Sequence, residues 1–367
     1  MKIAWFSWKD IRHPLAGGAE RLGHEWRRRL VADGHVVRHV TARYPDAAET
    51  DSIDGVQTIR RGRSSVTHYP AARGFHRETR GWADCVIEEV NTVPYFAAAP
   101  PPPGRMVLLY FQLAREIWFH QTAMPVAVAG YGAEAVYTWL QSRRKMPVIT
   151  ISDDSRRDLL RFGFSPARVR VVRIGIDNAP LAAYEPAVKE RQFTVLFHGS
   201  LRAMKRPLDA VHGFASYLRS GGDGVMWISG AGDDTAIRRI SASPILEGRV
   251  TLFGRTSDDQ KLELMRRASV LVSTSVKEGW GLIVTEANSM GSPAIVYDAD
   301  GLRSAAGRQN WISAPNPPAL GARLAEARRL FDMPHAYQDW CERVLADSRQ
   351  YSLDASYREF SDALFRD

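Results

Sequence analysis

Short β-rich runs alternate with helical stretches along this chain, and the alternation occurs twice. In the first half the strand candidates are Lys2–Ser7, His35–Thr41, Gly55–Arg60, Cys85–Ile87, Met106–Phe111, Val148–Ile151 and Val169–Arg173. In the second half they are Thr194–His198, Val225–Ser229, Val250–Phe253, Val270–Ser273 and Pro293–Tyr297. Helical periodicity falls between them, at Ala19–Asp33, Asp153–Phe162, Pro207–Arg219, Gln260–Ala268 and Ile283–Met290. Strands alternating with helices imply parallel sheets of right-handed βαβ units. Two such series predict an α/β protein of two doubly wound domains. The length of 367 residues agrees, at about 150 residues per domain. The expected boundaries are a first domain over 1–178, a linker over 179–192 holding Pro180 and Pro186, a second domain over 193–345, and a helical tail over 346–367 packing back on the first domain. Beyond Tyr297 no strand is expected, and Pro318–Phe331 reads as helix. The run Ala97–Pro103 reads as a stiff polyproline loop.

Composition removes several classes. The chain is 45% hydrophobic and 25% charged, an ordinary globular profile. No apolar run approaches the roughly 20 residues that a bilayer span needs. The opening residues Met1–Ser7 turn polar too soon for a signal peptide and read as a first strand. Cys85 and Cys341 are too few for a disulfide scaffold or a zinc site, which suits a reducing cytoplasm. The net charge of +8 lies wholly in residues 1–180, where 26 Lys and Arg meet 18 Asp and Glu. Either that half faces an anionic surface, such as the inner leaflet or an acidic acceptor, or it is Arg-rich with no partner implied. No nucleic-acid module is present, so no nucleic-acid partner is expected.

In open parallel sheets, ligands bind beyond the carboxyl ends of the strands, so chemistry belongs in the loops there. After the first strand comes Gly17-Gly18-Ala19-Glu20-Arg21. A glycine pair before a helix lets backbone N–H groups approach a diphosphate, and a plain strand-to-helix turn is the alternative. After Phe197-His198 comes Gly199, then Arg202, Lys205 and Arg206 ahead of Pro207. Cations beside a helix N-terminus form an anion site, with a solvated basic loop as the alternative. After Val270–Ser273 comes Lys277-Glu278-Gly279-Trp280-Gly281-Leu282, with Glu286 inside the next helix. Eight helical residues span about 12 Å, so the two glutamates suit hydroxyls at opposite ends of a nucleotide-sugar. The amides of Trp280, Gly281 and Leu282 are expected to aim at the phosphates between.

Three stretches, Gly17–Arg21, Gly199–Lys205 and Glu278–Ala287, resemble the retaining glycosyltransferases of the group 1, glycogen-synthase-like (Glu-x7-Glu) class. Ile151–Leu160, Gly175-Ile176-Asp177 and Gln112–Phe119 are similar to the same family, and the likeness runs to about residue 330. It implies the GT-B arrangement, two Rossmann-like domains facing across a cleft. The first domain would take the acceptor and the second a nucleoside-diphosphate sugar. The resemblance gives Lys205 the leaving diphosphate, Glu278 the donor-sugar hydroxyls and Glu286 the ribose hydroxyls. Gly17, Gly18, Gly199, Arg202, Arg206, Arg255, Gly279, Trp280, Gly281 and Leu282 complete the expected donor site. No cofactor and no metal is implied, since cations and helix dipoles do that work. The acceptor is a hydroxyl of a glycan, a lipid-linked compound or a natural product, and the basic first half is compatible with peripheral association to an anionic membrane.

Two departures from the family pattern stand out. Ser200 occupies the place where an Arg usually follows the glycine of the turn, and Phe111 stands where many members carry a His before Gln112-Leu113-Ala114-Arg115. Phe111 alters the donor-sugar pocket or lowers activity. On the acceptor side His13, Phe111 and His120 are the candidates. Other functions compatible with the residues are a nucleotide-sugar-binding protein with little or no transfer and an epimerase of the same fold. A phosphorylase lacks a recognisable pyridoxal lysine setting, and a dehydrogenase lacks G-x-G-x-x-G after the first strand.

Overall fold

A computed structural model describes residues 1–63, 65–79, 81–91, 93–96 and 104–366. The expected polyproline loop at Ala97–Pro103 falls outside the described residues. The chain divides into two units, one of Met1–Trp118, Thr122–Gly175 and the segment from Leu353 onward, the other of Phe119–Gln121 and Ile176–Ser352.

The first unit is built on β1 (Lys2–Phe6), β2 (Val36–Thr41), β3 (Thr50–Ile53), β4 (Val56–Arg60), β5 (Cys85–Glu89), β6 (Arg105–Tyr110), β7 (Val148–Thr150) and β8 (Val169–Val171). They form one sheet in the order β3-β4-β2-β1-β5-β6-β7-β8. Every pairing is parallel except the hairpin of β3 and β4. β1 and β6 read as near-continuous apolar runs because both their faces are covered, and β5 is buried throughout although it ends in Glu88 and Glu89. The second unit holds β9 (Thr194–His198), β10 (Val225–Ser229), β11 (Val250–Gly254), β12 (Val270–Ser273), β13 (Ala294–Tyr297) and β14 (Trp311–Ser313). Its sheet is wholly parallel, in the order β11-β10-β9-β12-β13-β14. In chain order the helices are α1 (Gly18–Ala32), α2 (Ser65–Glu78), α3 (Ile117–Gln121), α4 (Met124–Ser142), α5 (Asp153–Arg161), α6 (Pro207–Arg219), α7 (Thr235–Ser241), α8 (Asp258–Arg267), α9 (Leu282–Ser289), α10 (Leu302–Ala306), α11 (Pro317–Phe331), α12 (Pro334–Ser348) and α13 (Leu353–Phe365).

The last helix, α13, belongs to the first unit. Phe360 stacks on Trp26 of α1 at 4.3 Å and tilts against Trp5 of β1 at 5.7 Å. Trp26 Nε1 donates to Ser356 Oγ at 3.2 Å. These three rings are buried and seal one face of the first sheet.

Three features differ from the sequence expectation. β14 lies beyond Tyr297, where no strand was expected. Its three residues are too few to show a period, and only its partner β13 defines it. β3 was also unannounced, because Thr50-Asp51-Ser52-Ile53 is a polar edge strand of low β-propensity. The stretch 179–192 is bound along the second unit. Leu181 N donates to Ser289 O at 2.9 Å and Glu190 N to Arg267 O at 3.0 Å. Lys189 Nζ, buried, donates to Ala268 O at 2.8 Å and Ser292 Oγ at 2.6 Å. Burial pushes this ammonium down to about 8.

Candidate active site

At the carboxyl edge of the second sheet, two glycine turns run backbone against backbone. β9 gives way to Gly199 (φ +155°) and β10 to Gly230 (φ +149°). A Cβ on Gly230 would stand 1.8 Å from Gly199 O, so only glycine fits there. Gly199 N donates to Ser229 O at 3.0 Å and Leu201 N to Ala231 O at 2.8 Å. The chain then makes a short 3-10 turn over Ala203–Lys205, and Arg206 takes a left-handed conformation before α6 begins at Pro207.

The loop after β12 clasps this turn. Thr274 Oγ1 donates to the carbonyls of Lys205 and Arg206, each at 2.9 Å, and Val276 N donates to Met204 O at 2.9 Å. The clasp brings Lys205 to Glu278, and Lys205 Nζ donates to Glu278 Oε1. Neither side chain is fully enclosed. Glu278 is fixed from behind by the loop after β13: its N–H donates to Asp300 O at 2.9 Å. Gly301 has φ +75°, and a Cβ there would lie 2.0 Å from Glu278 O. The neighbouring Lys277 is buried and turns the other way, its Nζ 3.1 Å from Asp300 Oδ2.

Helix α9 starts directly after this loop. Gly281 is its N-cap, and a Cβ there would meet Leu302 of α10 at 2.9 Å. The expected phosphate-facing amides are partly engaged already. Leu282 N donates to Trp280 O at 2.9 Å and Gly281 N to Gly301 O at 3.4 Å. Trp280 is anchored, with Nε1 donating to Thr285 Oγ1 at 2.9 Å and its ring 5.4 Å from that of Tyr351.

Glu286 follows on α9 and accepts from Lys261 Nζ of α8 at 2.8 Å. Lys261 also lies 3.3 Å from Asp258. Burial holds the Glu286 carboxyl above its ordinary range, and the Lys261 ammonium works against that rise. His198, at the end of β9, is pushed down to about 4 by burial and by the same lysine, so its ring is neutral. Its Nδ1 is 3.1 Å from Ser229 Oγ. Sequence reasoning missed Lys261, since nothing in the sequence ties α8 to α9.

The other expected residues scatter. Arg206 Nη2 pairs with Asp209 at 2.6 Å, its Nη1 donates to Pro315 O at 3.3 Å, and its guanidinium lies 5.2 Å from the Tyr297 ring. It is thus committed to its own helix start. Arg202 Nε donates to Ser200 Oγ at 3.0 Å and Arg255 is exposed. In the first unit, Gly17 caps α1, and its N–H donates to Glu20 Oε2 at 2.7 Å while Gly18 opens the helix. Glu20 also pairs with Lys9 at 3.1 Å. His13 Nδ1 accepts from Leu15 N at 3.0 Å and its ring meets Tyr44 edge-on. Phe111 is buried and stacks on Trp26 at 6.1 Å. His120 is exposed.

Known proteins resemble this chain over part of its sequence and in its fold. Residues 183–338 match the family model described as Glycosyl transferases group 1. A glycogen synthase of Mycobacterium tuberculosis (strain ATCC 25618 / H37Rv) is 30% identical over 211 residues, 56% of this chain and 50% of the relative. The chain thus spans about half the length of that curated relative. Among solved structures, WaaG, a glycosyltransferase involved in lipopolysaccharide biosynthesis, superposes with TM-score 0.75 at 18% identity, covering all of both chains. Anabaena Alr3699/HepE, in complex with UDP and glucose, gives TM-score 0.71 at 14% identity over 99% of each chain. The two Rossmann-like units are those of the GT-B fold, and residues 183–338 of the second are similar to the group 1 family model.

Proposed function

We propose that this chain is a retaining glycosyltransferase that moves a sugar from a nucleoside-diphosphate sugar to an acceptor hydroxyl. The observation that carries this is the Lys205–Glu278 pair at the carboxyl edge of β9 and β12, with Glu286 on α9, the helix that follows the Glu278 loop. The matched family segment covers all three residues. HepE, a fold neighbour, is described with UDP and glucose.

Lys205 Nζ neutralises the negative charge that grows on the leaving diphosphate. Glu278 accepts from donor-sugar hydroxyls, and Glu286 accepts from the ribose. The acceptor oxygen bonds to the anomeric carbon on the face from which the phosphate oxygen leaves. The hydroxyl proton passes to that phosphate oxygen, so configuration is retained and no second protein carboxylate is needed, unlike a hydrolase pair. In this scheme Lys205 supplies the positive charge that a metal would otherwise bring, and the first unit takes the acceptor.

A second reading is a nucleotide-sugar-binding protein without transfer. Phe111 favours it, since that buried ring offers no hydrogen bond at the end of β6. Thermal shift with UDP, GDP, dTDP and ADP, with and without Mg²⁺, tests donor binding. A ligand at about 100 times its Kd adds roughly 2.7 kcal/mol of stability. A metal-independent shift by one nucleotide supports the donor site, and release of that nucleotide from its sugar conjugates with an acceptor supports transfer. No shift with any nucleotide overturns both readings. A shift without turnover selects the second.

A further inference from the structure

Helix α4 is inside out. Its buried positions include Glu134, Thr138, Gln141 and Ser142, all polar. Its exposed positions are apolar: Met124, Val126, Val128 and Val136 are each more than half exposed, and Trp139 and Leu140 are also open. Between them on the same arc stand Pro125, Ala129, Gly132 and Ala133, at about 100° per residue. A helix on a water-soluble surface shows the opposite pattern.

Hydrogen bonds fix this orientation. The Glu134 carboxylate accepts from Ala114 N and Arg115 N, each at 2.6 Å. Gln141 Nε2 donates to the buried Glu88 Oε1 at 3.2 Å. Rolling the helix to bury its valines would strip these partners from Glu134 and Glu88. The apolar arc is therefore held outward by the polar one, and a contiguous apolar face of this kind marks an interaction surface.

Cations stand at the end of the arc. Arg143 lies 4.8 Å over the Trp139 ring, Lys145 is exposed, and Arg168 Nη2 donates to Ser142 O at 2.9 Å. The surplus charge of the whole chain, +8, falls in residues 1–180. That charge repels a second copy and attracts acidic headgroups. We propose that the exposed face of α4 docks on an anionic lipid bilayer. The helix lies in the interfacial plane, with Trp139 at headgroup level and Arg143 and Lys145 over the acidic lipids. Among the described residues no helix is long and apolar enough to cross a membrane, so α4 lies on the bilayer rather than through it.

Co-sedimentation of the full chain with phosphatidylcholine vesicles, with and without phosphatidylglycerol, tests this. The expected result is binding to the phosphatidylglycerol vesicles that weakens with salt. Val136→Asp/Leu140→Asp and Arg143→Glu/Lys145→Glu should each lower the bound fraction by about tenfold. All four positions are exposed, and circular dichroism confirms folding. Two outcomes overturn the proposal: no wild-type binding to either vesicle, or binding undiminished by Val136→Asp/Leu140→Asp. A lipid-free dimer that this variant dissolves, with no vesicle binding, assigns the face to a second copy instead. The nucleotide thermal shift of the same variants is a separate readout, so failure of the donor-site proposal and failure of this one are distinguishable.

Discussion

Lys261 Nζ donates to Glu286 Oε1 at 2.8 Å, so the second glutamate of the Glu-x7-Glu pattern is held by a lysine from the preceding helix. Burial raises the Glu286 carboxyl, and the Lys261 ammonium opposes that rise. Lys261→Met removes that charge, and the carboxyl rises further. The carboxylate form, which should accept ribose hydroxyls, is then less populated. The expected outcome is a Kd for the preferred nucleotide about tenfold weaker near pH 7, a hydrogen bond to a charged group being worth about 1.5–3 kcal/mol. Binding should recover as pH rises, because ionisation returns. Titration calorimetry near neutral and near alkaline pH checks both the loss and its sign.

Gly301 sets the position of Glu278 from a different loop. A Cβ at residue 301 would come within 2.0 Å of Glu278 O, at a φ of +75° that side chains disfavour. Gly301→Ala must push the Glu278 backbone toward Lys205 or open the loop. The expected effect is a fall in kcat/KM of about a hundredfold, since small misplacement of a positioned group costs that much. A residue of the loop that merely fills space would leave kcat/KM near the wild-type value.

Much of this was legible in the sequence. Val, Ile and Leu runs bounded by turns marked the buried strands from β1 to β13, and the Glu-Gly-x-Gly frame marked the loop that holds Glu278. β3 and β14 were not, because edge strands of three or four residues exist only through their partners. Lys261 and Gly301 were not, because their roles depend on loops and helices that only the sheet order brings together. The cations Lys205 and Arg206 look equivalent in sequence, yet a left-handed turn at Arg206 sends their side chains to different partners. The outward face of α4 was hidden for a different reason. Its composition is apolar nearly all round, and which side faces in depends on the hydrogen bonds of Glu134 and Gln141.

The first unit stores a pH response in Glu88. This side chain is fully buried at the end of β5, and its Oε1 accepts from Tyr95 N at 2.6 Å and Gln141 Nε2 at 3.2 Å. Burial raises it from 4.5 to about 7. The folded state therefore binds a proton more tightly than the unfolded chain. The resulting stability is fully present below about pH 4.5 and is lost as pH rises through about 7. Glu88→Gln keeps the acceptor and removes the titration. Relative to wild type, the variant should gain about 3 kcal/mol in stability between mildly acidic and mildly alkaline pH. Urea unfolding at the two pH values measures this, and an equal difference at both would show that Glu88 does not titrate there.

Lys205 and Arg206 are neighbours with different tasks. Lys205 reaches Glu278, while Arg206 is tied to Asp209 at 2.6 Å and to Pro315 O at 3.3 Å. If the diphosphate leaves beside Lys205, its loss removes a charge that acts mainly in the transition state, and kcat and kcat/KM fall together. Lys205→Ala should then lower kcat by at least about a hundredfold with the fold intact. Arg206→Ala loses a partly exposed ion pair and a contact with the Tyr297 ring, and should cost about 1 kcal/mol of stability or less. Its kcat should stay within about tenfold of wild type. Side-by-side kinetics with the nucleotide-sugar found by thermal shift decide the matter. Equal losses would place both cations on the diphosphate, and a greater loss for Arg206→Ala would move the leaving-group role away from Lys205.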